Sequence, residues 1–392
     1  MKLDDIKDKI VKRVEAQRQD LTALSLRIHD SPETGLKEFK ASQWLTEYLE
    51  KNGFAMERGI CQLPTAFRAT YGSGKPRIGI LAEYDALPGI GHGCGHNIIA
   101  GSAIGAGIAA QTAVDEYIGS IFVIGTPAEE LIGGKVMMAE RGAFADLDIA
   151  MMIHPGVRDV AITSALARVG LMVEFFGKEA HASARPEDGV NALEAMIQSF
   201  NNINSLRQHI RNQARIHGII TDGGTAANIV PAHSAGHFLV RAEDDKYLEE
   251  LREKALNCFR AAALATGCRL EYRWTDTRYA ALRTNLKLAE TYAKNMEALG
   301  RRIFEPNLNR GMGSTDMGNV SAIVPSIHPS VAIAPSDVIG HSPEFAVAAA
   351  SEEGMKGMID SAKALAMTVA DVLAQPNLLI EIKEEFAHNY QN

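Results

Sequence analysis

The sequence holds 392 residues, 46% of them hydrophobic and 22% charged, with a formal net charge of −8. That length exceeds what one hydrophobic core commonly serves, so two domains are expected. The acidic balance, with a pI near 5.9, argues against nucleic acid or an anionic membrane as the main partner, since both attract clustered Lys and Arg.

Taken in chain order, the first 50 residues predict two helices broken at Asp30-Ser31-Pro32, where Pro can open a new helical turn. Their charge alternates at helical spacing, and they lack the apolar stretch of a signal peptide. Strand-like runs follow at 77–82, 118–125 and 148–153, with a helix of small residues over 97–113 between the first two. Alternating strands and helices predict an α/β sheet, mostly parallel. The longest apolar run, 98–110, is too short to span a bilayer. The middle then changes character, with strands at 169–176, 216–221, 237–242 and 269–275 and helices at 189–210 and 246–266. Their order, βαββαβ, is the ferredoxin-like arrangement. A strand at 330–334 and a last helix at 351–374 return to the first pattern.

The expected architecture is therefore a catalytic α/β/α sandwich, residues 1–167 and 284–392. An inserted ferredoxin-like α+β domain, residues 168–283, would serve as lid and dimerisation unit. Four irregularly spaced cysteines, Cys61, Cys94, Cys258 and Cys268, fit reduced thiols and a cytoplasmic location rather than a disulfide framework.

Groups able to bind metal follow three successive strands: Glu83 and Asp85, then Glu129 and Glu130, then His154. Open α/β sheets place ligands beyond the carboxyl ends of their strands. Between the first two lies GHGCGHN, residues 91–97. Alternate residues of an extended loop face one way, so Cys94 and His96 could address one point, and the glycines let backbone come close. Thiolate, imidazole and carboxylate together suit Zn²⁺, Mn²⁺, Co²⁺ or Ni²⁺. His341 precedes Ser342-Pro343-Glu344, a helix start with Ser as N-cap and Pro in the first turn. Singly, each residue has an ordinary structural reading: a buried thiol, a satisfied histidine, a turn aspartate, a solvated glutamate pair. Together they favour a metal centre.

These residues resemble the M20 metallopeptidase family, in the amidohydrolase branch where a Cys replaces a metal-bridging carboxylate. IHDSPETGLKEF (28–39), AEYDALPGIGHGCGHN (82–97), GTPAEE (125–130), IHPG (153–156), GKEAHA (177–182), GSTD (313–316) and HSPEF (341–345) occur in that family's order. The resemblance spans nearly the whole chain and is nearest to dipeptidase-like and aminobenzoyl-glutamate-hydrolase-like members. It implies two divalent transition-metal ions held by Cys94, His96, Glu130, His154 and His341, with Cys94 bridging. Glu129 would be the general base and Asp85 an orienting partner. His181, in the lid, would polarise the scissile carbonyl, in many relatives within the site of a dimer partner. Asn228 and Arg241 would bind substrate. Glu83-Tyr84-Asp85, His92-Gly93-Cys94 and Asn97 depart from the branch's Asp-Met-Asp, His-Ala-Cys and Asp, which disfavours simple N-acetyl or hippuryl substrates.

The implied activity is metal-dependent hydrolysis of the amide bond of a dipeptide or N-acyl amino acid. The expected partners are that small substrate and a second copy of the chain, with no nucleic acid or membrane. Two alternatives differ in class: a thiol hydrolase with Cys94 as nucleophile and His96 or His92 as base, and a non-catalytic metal-binding member of the fold.

Overall fold

The computed structural model describes residues 2–306 and 313–389. These fall into two compact units, one of 2–164, 282–306 and 319–389, the other of 165–281 with 313–318.

The first unit opens with α1 (Leu3–Ala16), α2 (Arg18–His29), α3 (Phe39–Lys51), β1 (Ala55–Arg58), β2 (Phe67–Ser73) and β3 (Arg77–Ala82). It continues through α4 (His96–Val114), β4 (Gly119–Gly125), α5 (Glu129–Ile132), α6 (Gly134–Glu140), β5 (Ile149–Met151) and β6 (His154–Gly156). The second unit holds β7 (Ala167–Phe176), α7 (Ala192–Leu206), β8 (Arg215–Asp222), β9 (His233–Ala242), α8 (Asp245–Thr266) and β10 (Arg269–Tyr279). The chain ends with α9 (Leu286–Ala298), α10 (Met317–Ser321), β11 (Ser326–Ile327), β12 (Ser330–Ala332), α11 (Pro343–Ala348), α12 (Glu352–Ala374) and α13 (Pro376–Asn389).

The first unit's main sheet has the order β1-β2-β4-β3-β5-β11. Pairings among β4, β3, β5 and β11 are parallel, whereas β1–β2 and β2–β4 are antiparallel. The sheet is thus mixed at one edge, where the sequence predicted no strands. The predicted strand at 330–334 is β12, which leaves this sheet and pairs in parallel with β6. The N-terminal region also differs from expectation. It forms three helices, with a break at Gln17 (φ −99°, ψ 2°). Pro32 opens no helix, because Glu33 accepts hydrogen bonds from Lys40 N and Ala41 N (2.9 and 3.0 Å). That carboxylate satisfies two of the free N–H groups at the start of α3 and fixes its first turn there.

α4 is buried almost all round, which a helix tolerates only at the centre of a layered core. Its small residues allow this. A Cβ on Gly105 would meet Leu21 Cδ1 at 2.8 Å and Ala362 Cβ at 3.1 Å. Among the described residues it is the single helix long and apolar enough to cross a membrane, and 89% of that window is buried inside the protein.

The second unit has the sheet order β10-β7-β9-β8, antiparallel throughout. In strand order that is 4-1-3-2, the ferredoxin-like topology. Alternation decides its two faces. Ala167, Val169, Leu171, Val173 and Phe175 of β7, with Phe238 and Val240 of β9, form one core with α7 and α8. Arg168 and Arg241 lie at the intervening positions, so they belong to the opposite face.

Candidate active site

The parallel strands carry the site at their carboxyl ends. β3 runs into Glu83 and Asp85, β4 into Glu129 and Glu130, and β5 into His154. α4 begins at His96 behind Gly95, whose φ is 74°. Two donor groups share one atom: Cys94, His96 and His154 lie within 4.8 Å of one another, and so do Cys94, Glu130 and His341. Glu83, His96 and Glu129 form a third group at the same spacing.

Each imidazole is aimed by its other nitrogen. His96 Nδ1 lies 3.1 Å from Asp85 Oδ1, and His154 Nδ1 lies 2.7 Å from the Pro155 carbonyl. His154 Nε2 then lies 3.3 Å from Cys94 Sγ, and His96 Nε2 lies 3.0 Å from Glu83 Oε1. Asp85 Oδ2 also accepts the Glu130 backbone N–H at 3.0 Å, so one carboxylate orients two candidate ligands. His96 Nε2 and Glu130 Oε1 are buried without an aligned hydrogen bond. Each still lies in ion-pairing range of another site group, His96 Nε2 3.0 Å from Glu83 and Glu130 Oε1 3.4 Å from His341, and a cation between them would give both a partner. Sulfur, nitrogen and carboxylate donors at this spacing fit two divalent transition metals sharing a thiolate.

Backbone strain falls at the same place. Ala128, just before the glutamate pair, has φ 61°, and His341 has φ 64°. Non-glycine residues hold such angles only where their surroundings enforce them. His341 is pinned by its N–H to the Gly93 carbonyl at 2.8 Å, and Ser342 caps α11 through Phe345 N at 3.2 Å. Ala128 N–H donates to Glu38 Oε1 at 2.8 Å, while Thr65 Oγ1 donates to Glu38 Oε2 at 3.0 Å. The 28–39 segment therefore braces the turn that presents Glu129 and Glu130.

Burial carries the Glu38 carboxyl up to about 7. A folded pKa above the unfolded one means the folded chain binds more protons between about 4.5 and about 7. The associated stability is complete below that window and lost as pH rises through it. Glu38→Gln, which cannot ionise, should remove this decline. Urea unfolding at pH 5 and pH 8 should show wild type losing on the order of 2–3 kcal/mol more than the variant; equal losses would refute it.

Burial pushes the Cys94 thiol up to about 12, against the pull of His96. Burial also drives His154 down to about 4. For His96 burial acts in the same direction, but Glu83, Cys94 and Asp85 prevail and hold it well above its ordinary value. His92 is kept neutral by burial, down to about 3, stacks on His29, and joins none of the donor groups. Asn97 serves the core, donating to Ser25 Oγ at 3.0 Å and the Ala349 carbonyl at 2.9 Å.

Lys135 is a member of the site that sequence reading missed. It is fully buried and pairs with Glu83, whose other oxygen is 3.0 Å from His96 Nε2. Its only signal is its place two residues after Gly133, since a lone Lys on a short helix reads as solvated.

In the second unit, His181 Nδ1 accepts from Ser183 N and Ala184 N at 3.3 and 3.2 Å. In the neutral ring Nε2 then carries the proton, and the residue is exposed. Asn228 is adjacent, its carbonyl accepting Ala182 N–H at 2.9 Å. Arg241 is not. His233 pairs with Phe176 and Arg241 with Arg168, eight residues along the same strands, and His181 lies beyond Phe176. At ~3.3 Å per residue, the two ends are about 26 Å apart. Arg241 Nη1 instead meets Ser314 Oγ at 3.1 Å.

The peptidase dimerisation domain family matches residues 167–266. The chain is 39% identical to the human (Homo sapiens) Xaa-Arg dipeptidase, over 95% of this chain and 90% of that one. It is 34% identical to a p-aminobenzoyl-glutamate hydrolase chain of Escherichia coli (strain K12), over 67% of this chain and 59% of that one. Its fold is shared with a dinuclear metal-binding peptidase of the M20 family from Bacillus subtilis, with a TM-score of 0.73 at 18% identity, covering 92% and 99% of the two chains.

Proposed function

The chain belongs to the M20 family of metal-dependent peptidases and amidohydrolases, and on that premise we propose that it hydrolyses the amide bond of a dipeptide or an N-acyl amino acid. The observation that carries this reading is the pair of donor groups sharing Cys94 at the strand ends. Cys94, His96 and His154 would hold one divalent ion, and Cys94, Glu130 and His341 a second. Zn²⁺, Mn²⁺, Co²⁺ and Ni²⁺ suit that donor set. Ions bound there would supply a water of pKa near ~7 and positive charge opposite the developing oxyanion.

The chain's own groups do the rest. The family resemblance makes Glu130 the ligand of the glutamate pair, and its Oε1, 3.4 Å from His341 Nε2, is compatible with that role. By the same resemblance Glu129 would take the proton from the attacking water and return it to the leaving amine. Asp85 fixes His96 in one tautomer. His181, with its proton on Nε2, donates to the carbonyl oxygen as it gains charge. The carboxylate of the substrate is taken by Arg241 and Asn228. A dipeptide is far shorter than ~26 Å, so His181 and Arg241 of one lid cannot serve one substrate. We therefore place His181 and Asn228 in the site of a second copy, with the inserted unit as the dimer-forming lid. The four free thiols suit the cytoplasm.

Dipeptides ending in Arg are the first substrates to try, followed by β-alanyl dipeptides and aminobenzoyl-glutamate. Release of the C-terminal amino acid across such a panel tests the reading. Turnover of at least one class is expected, and no turnover by metal-loaded protein would refute it.

A further inference from the structure

The face of the inserted unit's sheet opposite α7 and α8 is basic at one end. One row across it reads Arg215 of β8, Arg241 of β9, Arg168 of β7 and Tyr279 of β10, by direct Cα pairing. His217 lies two residues along on the same face. Like charges directly opposite on neighbouring strands, with Cβ atoms about 5 Å apart, destabilise a sheet. Some other gain has to keep them there.

Arg215 is accounted for, because its Nη1 donates to the Asn212 and Ala214 carbonyls at 2.6 and 2.7 Å. Arg168 and Arg241 are accounted for only in part, Arg241 by one hydrogen bond from Nη1 to Ser314 Oγ at 3.1 Å. Among the described residues neither has a carboxylate in ion-pairing range, and the Nε of each is buried without a hydrogen bond. Arg168 stacks its guanidinium 4.0 Å over the Tyr279 ring. Stacking uses the flat face of the group and leaves its N–H edge for an acceptor in the plane. Burial and the nearby Arg168 charge both lower the Arg241 pKa, as expected of a cation awaiting an anion. His217 is lowered by burial and then by Arg241, Arg207 and Arg168, so the positive field of the arginines reaches it and favours its neutral form.

We infer that Arg168 joins Arg241 in a two-guanidinium clamp for a substrate carboxylate, making Arg168 a specificity residue that restricts this hydrolase to free acids. The inference rests on the amide-hydrolase reading and adds a requirement to it. The carboxylate is either the terminal one of the leaving amino acid or the side chain of a C-terminal Glu.

The test is steady-state kinetics of the metal-loaded enzyme and its Arg168→Met and Arg168→Lys variants. Each is assayed on a cleaved dipeptide, the C-terminal amide of that dipeptide, and an X-Glu/X-Gln pair. Arg168→Met should raise KM for the free acid by about 10–100-fold while kcat changes little, and should leave the amide unaffected. Lys should restore only part, since it lacks the fork. Removing a like charge beside Arg241 should not lower the melting temperature, which separates the effect from misfolding. A penalty confined to X-Glu assigns the side-chain carboxylate, and an equal penalty on X-Gln assigns the terminal one. Wild type that cleaves amide and acid equally well, or Arg168→Met with unchanged KM, would overturn the clamp while leaving the hydrolase standing. Should no substrate be cleaved, the hydrolase reading itself fails. Calorimetry of arginine and argininamide then decides the clamp: weaker arginine binding in Arg168→Met supports it, and equal binding of the two compounds by wild type overturns it.

Discussion

Replacing Glu129 by Gln is expected to lower kcat by about 10²–10⁴-fold while the protein keeps its metal, because the substitution removes a proton acceptor and no ligand. The paired outcome gives the prediction its force. Glu129 and Glu130 are neighbours on α5, and loss of activity alone would not tell a base from a ligand. Glu130 Oε1 is the buried atom without a hydrogen bond, placed with Cys94 and His341. Glu130→Gln should therefore reduce metal content, and Glu129→Gln should not. Metal analysis beside kinetics reads both. Metal lost from Glu129→Gln and retained by Glu130→Gln would exchange the two roles.

The second large effect concerns two copies of the chain. Glu129→Gln and His181→Ala should each be close to inactive alone, yet a mixture refolded or co-expressed to allow exchange should regain activity. In a mixed dimer one site combines an intact Glu129 with the other copy's intact His181, and the second site lacks both. Random pairing then gives about a quarter of wild-type activity. The basis is the ~26 Å along β9 between the His181 end and Arg241. If His181 worked within its own chain, the mixture would stay inactive at every ratio.

Much of the first unit was legible because its signals are local. β3 and β4 are short apolar runs, and their ends place Asp85, Glu129 and Glu130 without knowledge of packing. The Ser342-Pro343 helix start holds His341 as its residues predict. The antiparallel edge was not legible: Ala-Met-Glu-Arg of β1 is largely exposed, and Phe-Arg-Ala-Thr-Tyr-Gly-Ser of β2 mixes polar and apolar residues with no strong run. Tertiary pairing with β4 makes these strands, not propensity. Lys135 escaped notice because burial with Glu83 is a long-range property, as did Glu38, whose role depends on a turn 90 residues away. The inserted unit shows the same limit. Its βαββαβ order is readable, but strand register brings Arg168 beside Arg241 and separates both from His181, and register requires every strand at once.

The most direct test of the two-metal hydrolase is to strip the protein with chelator and then titrate back Mn²⁺, Zn²⁺, Co²⁺ or Ni²⁺, following bound metal and release of the C-terminal amino acid together. Two equivalents per chain are predicted, with activity lost on stripping and regained on loading, and with both responses weakened in Cys94→Ser because the two donor groups share that thiolate. Amide hydrolysis that persists unchanged in the stripped protein would contradict the account and turn attention to Cys94 as a nucleophile.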